Sequence, residues 1–198
     1  MKTKHVFTLT LALVLGVALV GLGLPASLQA KMADQDKETA RADIQKTAQE
    51  TLQRLYQAQP GAEKAIENAA GYAVFSNFGL KILFAGSGKG AGMAVDKKTG
   101  TITYMKMFEV QAGLGIGAKK FRLVWVFEKA GDFNKFVNSG FELGGQGSAA
   151  AKSADKGAAF AGALSVKPGV WLYQLTDEGL AAELTVKGTK YYKNNELN

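Results

Sequence analysis

Cysteine is absent from the 198-residue chain, and histidine occurs once, as His5. Without cysteine there is no disulfide framework, no thiolate metal site, no cysteine nucleophile and no cysteine-anchored lipid. His5 sits in a stretch expected to be removed, so the remaining chain lacks the imidazole that most metal sites and triads use. These gaps argue against an enzyme and against a bound cofactor. Charged residues make up 21% and apolar ones 47%, which excludes both a disordered chain and a polytopic membrane protein. The length suits one globular domain with room for a short targeting segment.

A targeting pattern opens the chain. Lys2 and Lys4 form a basic start, and Val6–Leu24 is nearly all apolar. Pro25 breaks that run, and Ala26-Ser27-Leu28-Gln29-Ala30 supplies a small-residue cleavage context. The pattern predicts a signal peptide over residues 1–30, cleaved after Ala30, and a mature domain over 31–198 in the periplasm. The 19 residues Val6–Leu24 are also just long enough to remain as an uncleaved membrane anchor.

Charge is spread unevenly over what remains. Residues 31–70 carry six basic and seven acidic groups, and residues 141–198 carry six of each. Residues 71–140 carry ten basic and four acidic groups, a local net charge of +6. Such a concentration suits an anionic partner, either lipid headgroups or nucleic acid. Export argues against nucleic acid. A solvated, lysine-rich sheet face is the plain alternative.

Two helices and then a run of strands are predicted. Ile44, Ala48, Leu52 and Leu55 recur at helical spacing within Asp36–Ala58, with Glu50 four residues before Arg54 as a favourable pair. Pro60 suits the first turn of a short second helix, whose Ala62, Ile66 and Ala69 line one face and which Gly71 would stop. Tyr72–Phe75, Lys81–Phe84 and Gly92–Val95 read as short strands. The turn Asp96-Lys97-Lys98-Thr99-Gly100 leads into a strand over Thr101–Met107. Phe121, Leu123, Trp125 and Phe127 share one strand face, and Val124 and Val126 make the other apolar, which predicts a central strand covered on both sides. Asp132–Asn138 is a short helix anchored by Phe133 and Phe136. Trp171–Leu175 and the alternating Ala182/Leu184/Val186 flank an Asp177-Glu178-Gly179 turn as a closing hairpin.

Glycine falls on every second residue at Gly86, Gly88, Gly90 and Gly92, and again at Gly113, Gly115 and Gly117. In strands each set leaves one face bare, which lets strands coil tightly or another backbone pass close by. The fold class expected is α+β, with N-terminal helices packed on a strongly curved, barrel-like antiparallel sheet. Helical crossovers between strands are missing, which disfavours a parallel sheet.

Several catalytic motifs fail. Gly86-Ser87-Gly88-Lys89-Gly90 has Leu83 where a phosphate loop needs its first glycine and Gly90 where it needs Ser or Thr, so no nucleotide is expected. Gly86-x-Gly88-x-x-Ala91 lacks the helix of a dinucleotide site. Asp177 and Glu178 form a turn without a partner acid. Ser148 or Ser153 with Lys152 or Lys156 makes no recognisable dyad.

The run Ala70-Gly71-Tyr72-Ala73-Val74-Phe75-Ser76-Asn77, with Lys81 after it, resembles the opening of a SYLF domain. Gln111-Ala112-Gly113-Leu114-Gly115-Ile116-Gly117-Ala118 before the strand ending Val126-Phe127 is similar to that family too. So are Ser139-Gly140-Phe141-Glu142-Leu143-Gly144 and Gly179-Leu180-Ala181-Ala182-Glu183-Leu184 followed by Tyr191-Tyr192. The resemblance covers roughly residues 36–195. The chain departs from it at Ser76, where the family often has proline, and at Thr103-Tyr104-Met105-Lys106, where it often has Trp-Ser-Pro. The resemblance implies lipid binding; eukaryotic members bind acidic phosphoinositides and some regulate actin. In an exported protein neither actin nor phosphoinositides are expected, so the implied partner is an anionic membrane lipid.

The candidate lipid-binding residues are Lys81, Lys89, Lys119, Lys120 and Arg122. Lys120 and Arg122 share a strand face with Lys119 at its entry, Lys89 lies in the glycine strip, and Lys81 matches the family's lysine. Phe78 or Leu80 would add a shallow apolar anchor. The rival reading is a structural or protein-interaction module of the periplasm with no lipid ligand.

Overall fold

A computed structural model describes residues 26–77, 90–109, 121–143, 151–152, 158–177, 179–181 and 189–198. The first helix, α1 (Ala26–Ala58), is longer than its apolar spacing predicts. The spacing marks only the packed half: Ile44, Ala48, Thr51 and Leu55 are buried, whereas residues 30–39 are exposed apart from half-buried Lys37. Thr51 is tolerated in the buried stripe because its hydroxyl donates to the Thr47 carbonyl at 2.6 Å. Helix α2 (Gly61–Glu67) follows at once, with Pro60 at its N-cap and Ala62, Ala65 and Ile66 turned inward. Asn68, not Gly71, ends it. Gly71 instead opens the first strand, where a methyl group would collide with the Phe133 ring. Glycine there is what lets helix and strand approach so closely.

The strands are β1 (Gly71–Ser76), β2 (Gly90–Asp96), β3 (Ile102–Glu109) and β4 (Arg122–Phe127). Helix α3 (Ala130–Ser139) and strands β5 (Phe141–Leu143), β6 (Ala151–Lys152) and β7 (Leu164–Lys167) come next. A 3₁₀ turn at Ala158–Phe160 lies between β6 and β7, and β8 (Val170–Thr176), β9 (Gly179–Leu180) and β10 (Thr189–Lys193) complete the order. All pairings among the described residues are antiparallel, in the order β5-β10-β3-β2-β1-β4-β8-β7-β6, with β9 on β8. The sheet curls into a half-barrel, so the fold is the α+β class with a curved antiparallel sheet.

The curl has a visible local cause. A side chain on Gly92 would overlap the Val74 carbonyl and the Phe75 ring, so β1 folds over bare backbone. Gly90 and Gly92 are the members of the glycine strips among the described residues; Gly86, Gly88, Gly113, Gly115 and Gly117 lie outside them. The β2–β3 turn forms as predicted: Asp96 Oδ1 accepts the Lys98 and Thr99 N–H groups at 2.8 and 3.0 Å.

Each sheet face has its own core. On one, Val74, Met93, Val124, Val126 and Tyr173 pack with Ile44, Leu55 and Ile66 of α1 and α2. On the other, Phe75, Leu123, Trp125, Phe127 and Tyr191 pack with Phe133 and Phe136 of α3. Strand β4 is central and buried throughout, as its double apolar pattern predicts. The closing hairpin is present only as the short β8–β9 pair, and residues 182–187 fall outside the described segments. Strand β10 instead crosses to the far side of the sheet, between β3 and β5.

Candidate functional site

Registers show what the topology gathers. Ser76 is opposite both Arg122 and Ala91, Gly90 is opposite Met107, and Arg122 is opposite Leu175. Thr189 is opposite both Glu109 and Leu143. The chain therefore leaves β1, β3, β5 and β8, and enters β2, β4 and β10, at one end of the sheet. Segments 78–89 and 110–120 both join strands there. Together they hold Lys81, Lys89, Lys119 and Lys120 and no acidic residue. The four lysines, together with Phe78 and Leu80, lie outside the described residues, so only the points where their segments meet the sheet are defined. Sequence alone separates these lysines by up to 39 positions; the antiparallel order brings both of their segments to the same rim.

Arg122 is the one candidate whose side chain is described. It is the first residue of β4 and points to the helix face, not to an open surface. Its side chain is 11% exposed, and Nη2 stands 3.9 Å from Glu50 Oε2 of α1. Glu50, expected to pair with Arg54 on its own helix, thus reaches across to the sheet. Burial lowers the Arg122 pKa, nearby Arg54 lowers it further, and Glu50 and Asp177 oppose the shift. A guanidinium stays charged through such a shift. The result is a mixed cluster of two cations and two carboxylates where α1 crosses the rim. Beside it, Asn77 Oδ1 accepts the Phe121 N–H at 2.8 Å and carries the β1–β4 ladder one step beyond the strands.

The opposite end has a different character. There Lys167 Nζ, at the end of β7, pairs with Asp132 Oδ1 of α3 at 2.5 Å. Trp171 Nε1 donates to Glu128 Oε1 at 3.2 Å there. Among the described residues no group of three or more His, Cys, Asp or Glu side chains could hold a metal. Ser148, Ser153 and Lys156 of the rejected dyads lie outside the described residues.

Sequence reasoning missed the C-terminal residues 194–198. Leu197 is buried in the helix-face core and Asn194 is buried beside it. Asn-Asn-Glu-Leu-Asn carries no period that would mark a docked segment, and a single apolar residue among polar ones gives too weak a signal.

Residues 108–198 match the family model described as Ysc84, Las17-binding protein actin regulator. The chain is also 36% identical over 160 residues to a protein named Beta cell expansion factor A from Aeromonas veronii. That alignment covers 80% of this chain and 59% of the relative, so the chain spans little more than half of the longer protein. The family-model match begins in β3 and takes in β4, α3 and every later strand, including three of the four stretches that carry the sequence resemblance. Over residues 108–198 the chain is thus similar to the Ysc84 (SYLF) family, the same family that its sequence motifs resemble.

Proposed function

We propose that this is a non-enzymatic protein of the cell envelope that binds anionic lipid headgroups through the basic end of its sheet. One observation carries the reading: the two acid-free segments holding Lys81, Lys89, Lys119 and Lys120 join strands at one rim. Each lysine near an anionic surface contributes about 1 kcal/mol, so four acting together give reversible attachment without insertion. Arg122 adds positive potential from beneath α1. Phe78 and Leu80, in the first of these segments, supply shallow apolar contact. The partner is an anionic membrane lipid, not nucleic acid, nucleotide or actin, and no cofactor is required. Export with cleavage after Ala30 would leave the protein in the periplasm, peripheral on a membrane.

The test is co-sedimentation of the exported protein with neutral and anionic vesicles at low and high salt. The reading expects binding to anionic vesicles alone, weakened as salt shortens the reach of the lysine charges. Lys119→Glu with Lys120→Glu should reduce it more than Lys97→Glu with Lys98→Glu, which sit at the opposite end of the sheet. Equal absence of binding to both vesicle types would overturn the lipid reading and favour a protein partner.

A further inference from the structure

Helix α1 first touches the body of the protein near Ala40, and the chain's last residues cross it there. The Leu197 carbonyl accepts a hydrogen bond from Arg41 Nε at 2.8 Å. Asn198 grips β3 by both ends of its amide: Oδ1 accepts the Tyr104 N–H at 2.9 Å, and Nδ2 donates to the Tyr104 carbonyl at 2.8 Å. The Tyr104 hydroxyl accepts from Gln45 Nε2 of α1 at 2.6 Å, and the Arg41 guanidinium lies 5.8 Å from that ring's centre. From the sheet side, Lys106 Nζ holds Glu196 Oε2 at 2.8 Å. Tail, strand and helix are thus tied together at one place. Nine residues past Arg41, about two and a half turns further along, α1 covers Arg122 through Glu50.

We propose that residues 194–198 are a latch that holds α1 down over Arg122, and that α1 opens as a unit separate from the sheet when the latch lets go. Opening uncovers Arg122 and the apolar strip of Val74, Met93 and Val124 for an anionic lipid surface; this consequence rests on the lipid reading above. The physical case is an imbalance. The ladder hydrogen bonds and the α3 core are made without α1, and an element docked on one face can open locally at lower cost than the whole fold. The latch includes an ion pair, Lys106–Glu196, with Glu196 largely in solvent. An anionic surface competes directly for such a lysine.

The test is hydrogen exchange on the protein purified after export, comparing Leu197→Ala and Asn198→Ala with the parent. Amides of residues 40–58 should exchange about tenfold faster, the size expected from losing one or two net hydrogen bonds, while β4 and β8 stay unchanged. Affinity for phosphatidylglycerol-containing vesicles should rise several-fold in the same variants, and Arg122→Gln should cancel that gain. Exchange that quickens equally in α1, β4 and β8, or not at all in α1, overturns the latch. A loosened α1 with no gain in vesicle affinity overturns its covering role. If no form binds vesicles, the lipid reading has failed and exchange alone decides the latch. Should Leu197→Ala fail to fold, Asn198→Asp keeps the acceptor, loses the donor and carries the same comparison.

Discussion

The two faces of the sheet each carry a buried core but are closed in different ways. On the α3 face, Phe75, Trp125, Phe127, Phe136 and Tyr191 interlock with ring centres 4.8 to 6.2 Å apart. Most of these pairs meet edge-on or tilted, the geometry favoured by ring quadrupoles. That face needs only a ten-residue helix to complete it. On the α1 face the side chains are smaller and mostly aliphatic, and polar groups tie helix and tail to the sheet: Thr51, Arg122 and Asn194 are buried there, and Tyr104 bonds to Gln45. The polar residues buried on the α3 face, Gln174 and Thr189, belong to the strands themselves. Aromatic packing is short-ranged and insensitive to salt or pH. Polar and ionic ties can be exchanged for water or another ion. One face is built to stay shut, and the other has the chemistry to open.

The largest effect should come from emptying the aromatic face. Trp125→Ala should cost about 3–5 kcal/mol in denaturant unfolding, since the fully buried ring cannot be replaced by water. Trp125→Phe should cost much less, because the indole N–H has no hydrogen-bond partner among the described residues. A large penalty for that variant would place an acceptor beside the ring.

On the helix face, Leu55→Ala should cost about 2–5 kcal/mol by the same cavity argument. If α1 opens separately, hydrogen exchange in residues 40–58 should register the loss before β4 does. Uniform acceleration would erase the contrast between the faces.

Glu50→Ala should have a smaller effect, about 1 kcal/mol, since Glu50 is half exposed and its pairing with Arg122 is discounted by solvent. Adding Arg54→Gln should recover part of it by removing the competing cation. A double-mutant cycle with no recovery would show that the three charges act independently.

The finest probe is pH. Burial, then Tyr72, Glu63 and Glu67, pushes the Tyr56 phenol from 10.0 up to about 12. The folded state then holds a proton that the unfolded chain has lost, so this stabilisation is intact below about pH 10 and fades as pH rises through about 12. Burial also raises the Tyr72 and Tyr173 phenols, so phenolate absorbance should show several late-titrating tyrosines, and Tyr56→Phe should remove the step near pH 12.

Legibility in the sequence followed the range of the interaction. Strand β4, the Asp96 turn and the Phe133/Phe136 helix were readable because alternation, an Asx-turn residue and helical spacing are local signals. The start of α1 is not legible, because its exposed first turns have no apolar stripe to reveal them. Gly71 reads as a helix stop in sequence and proved to be a strand residue making room for Phe133, a partner 62 positions away. Of the candidate site, the residue types were legible and the grouping was only partly so. Lys120 and Arg122 are neighbours in any strand, but nothing local ties them to Lys81.

What the sequence determined by itself is the chemistry available: no thiol, a histidine only near the start, a basic middle and an alternation that forces a two-faced central strand. Those follow from residue type and period, which need no partner. The tertiary structure alone decided where that chemistry goes. It drew the basic segments to one rim, turned Arg122 under α1 and laid the tail across the helix. Each of these depends on pairings between distant parts of the chain, and such pairings are chosen by the packing of the whole.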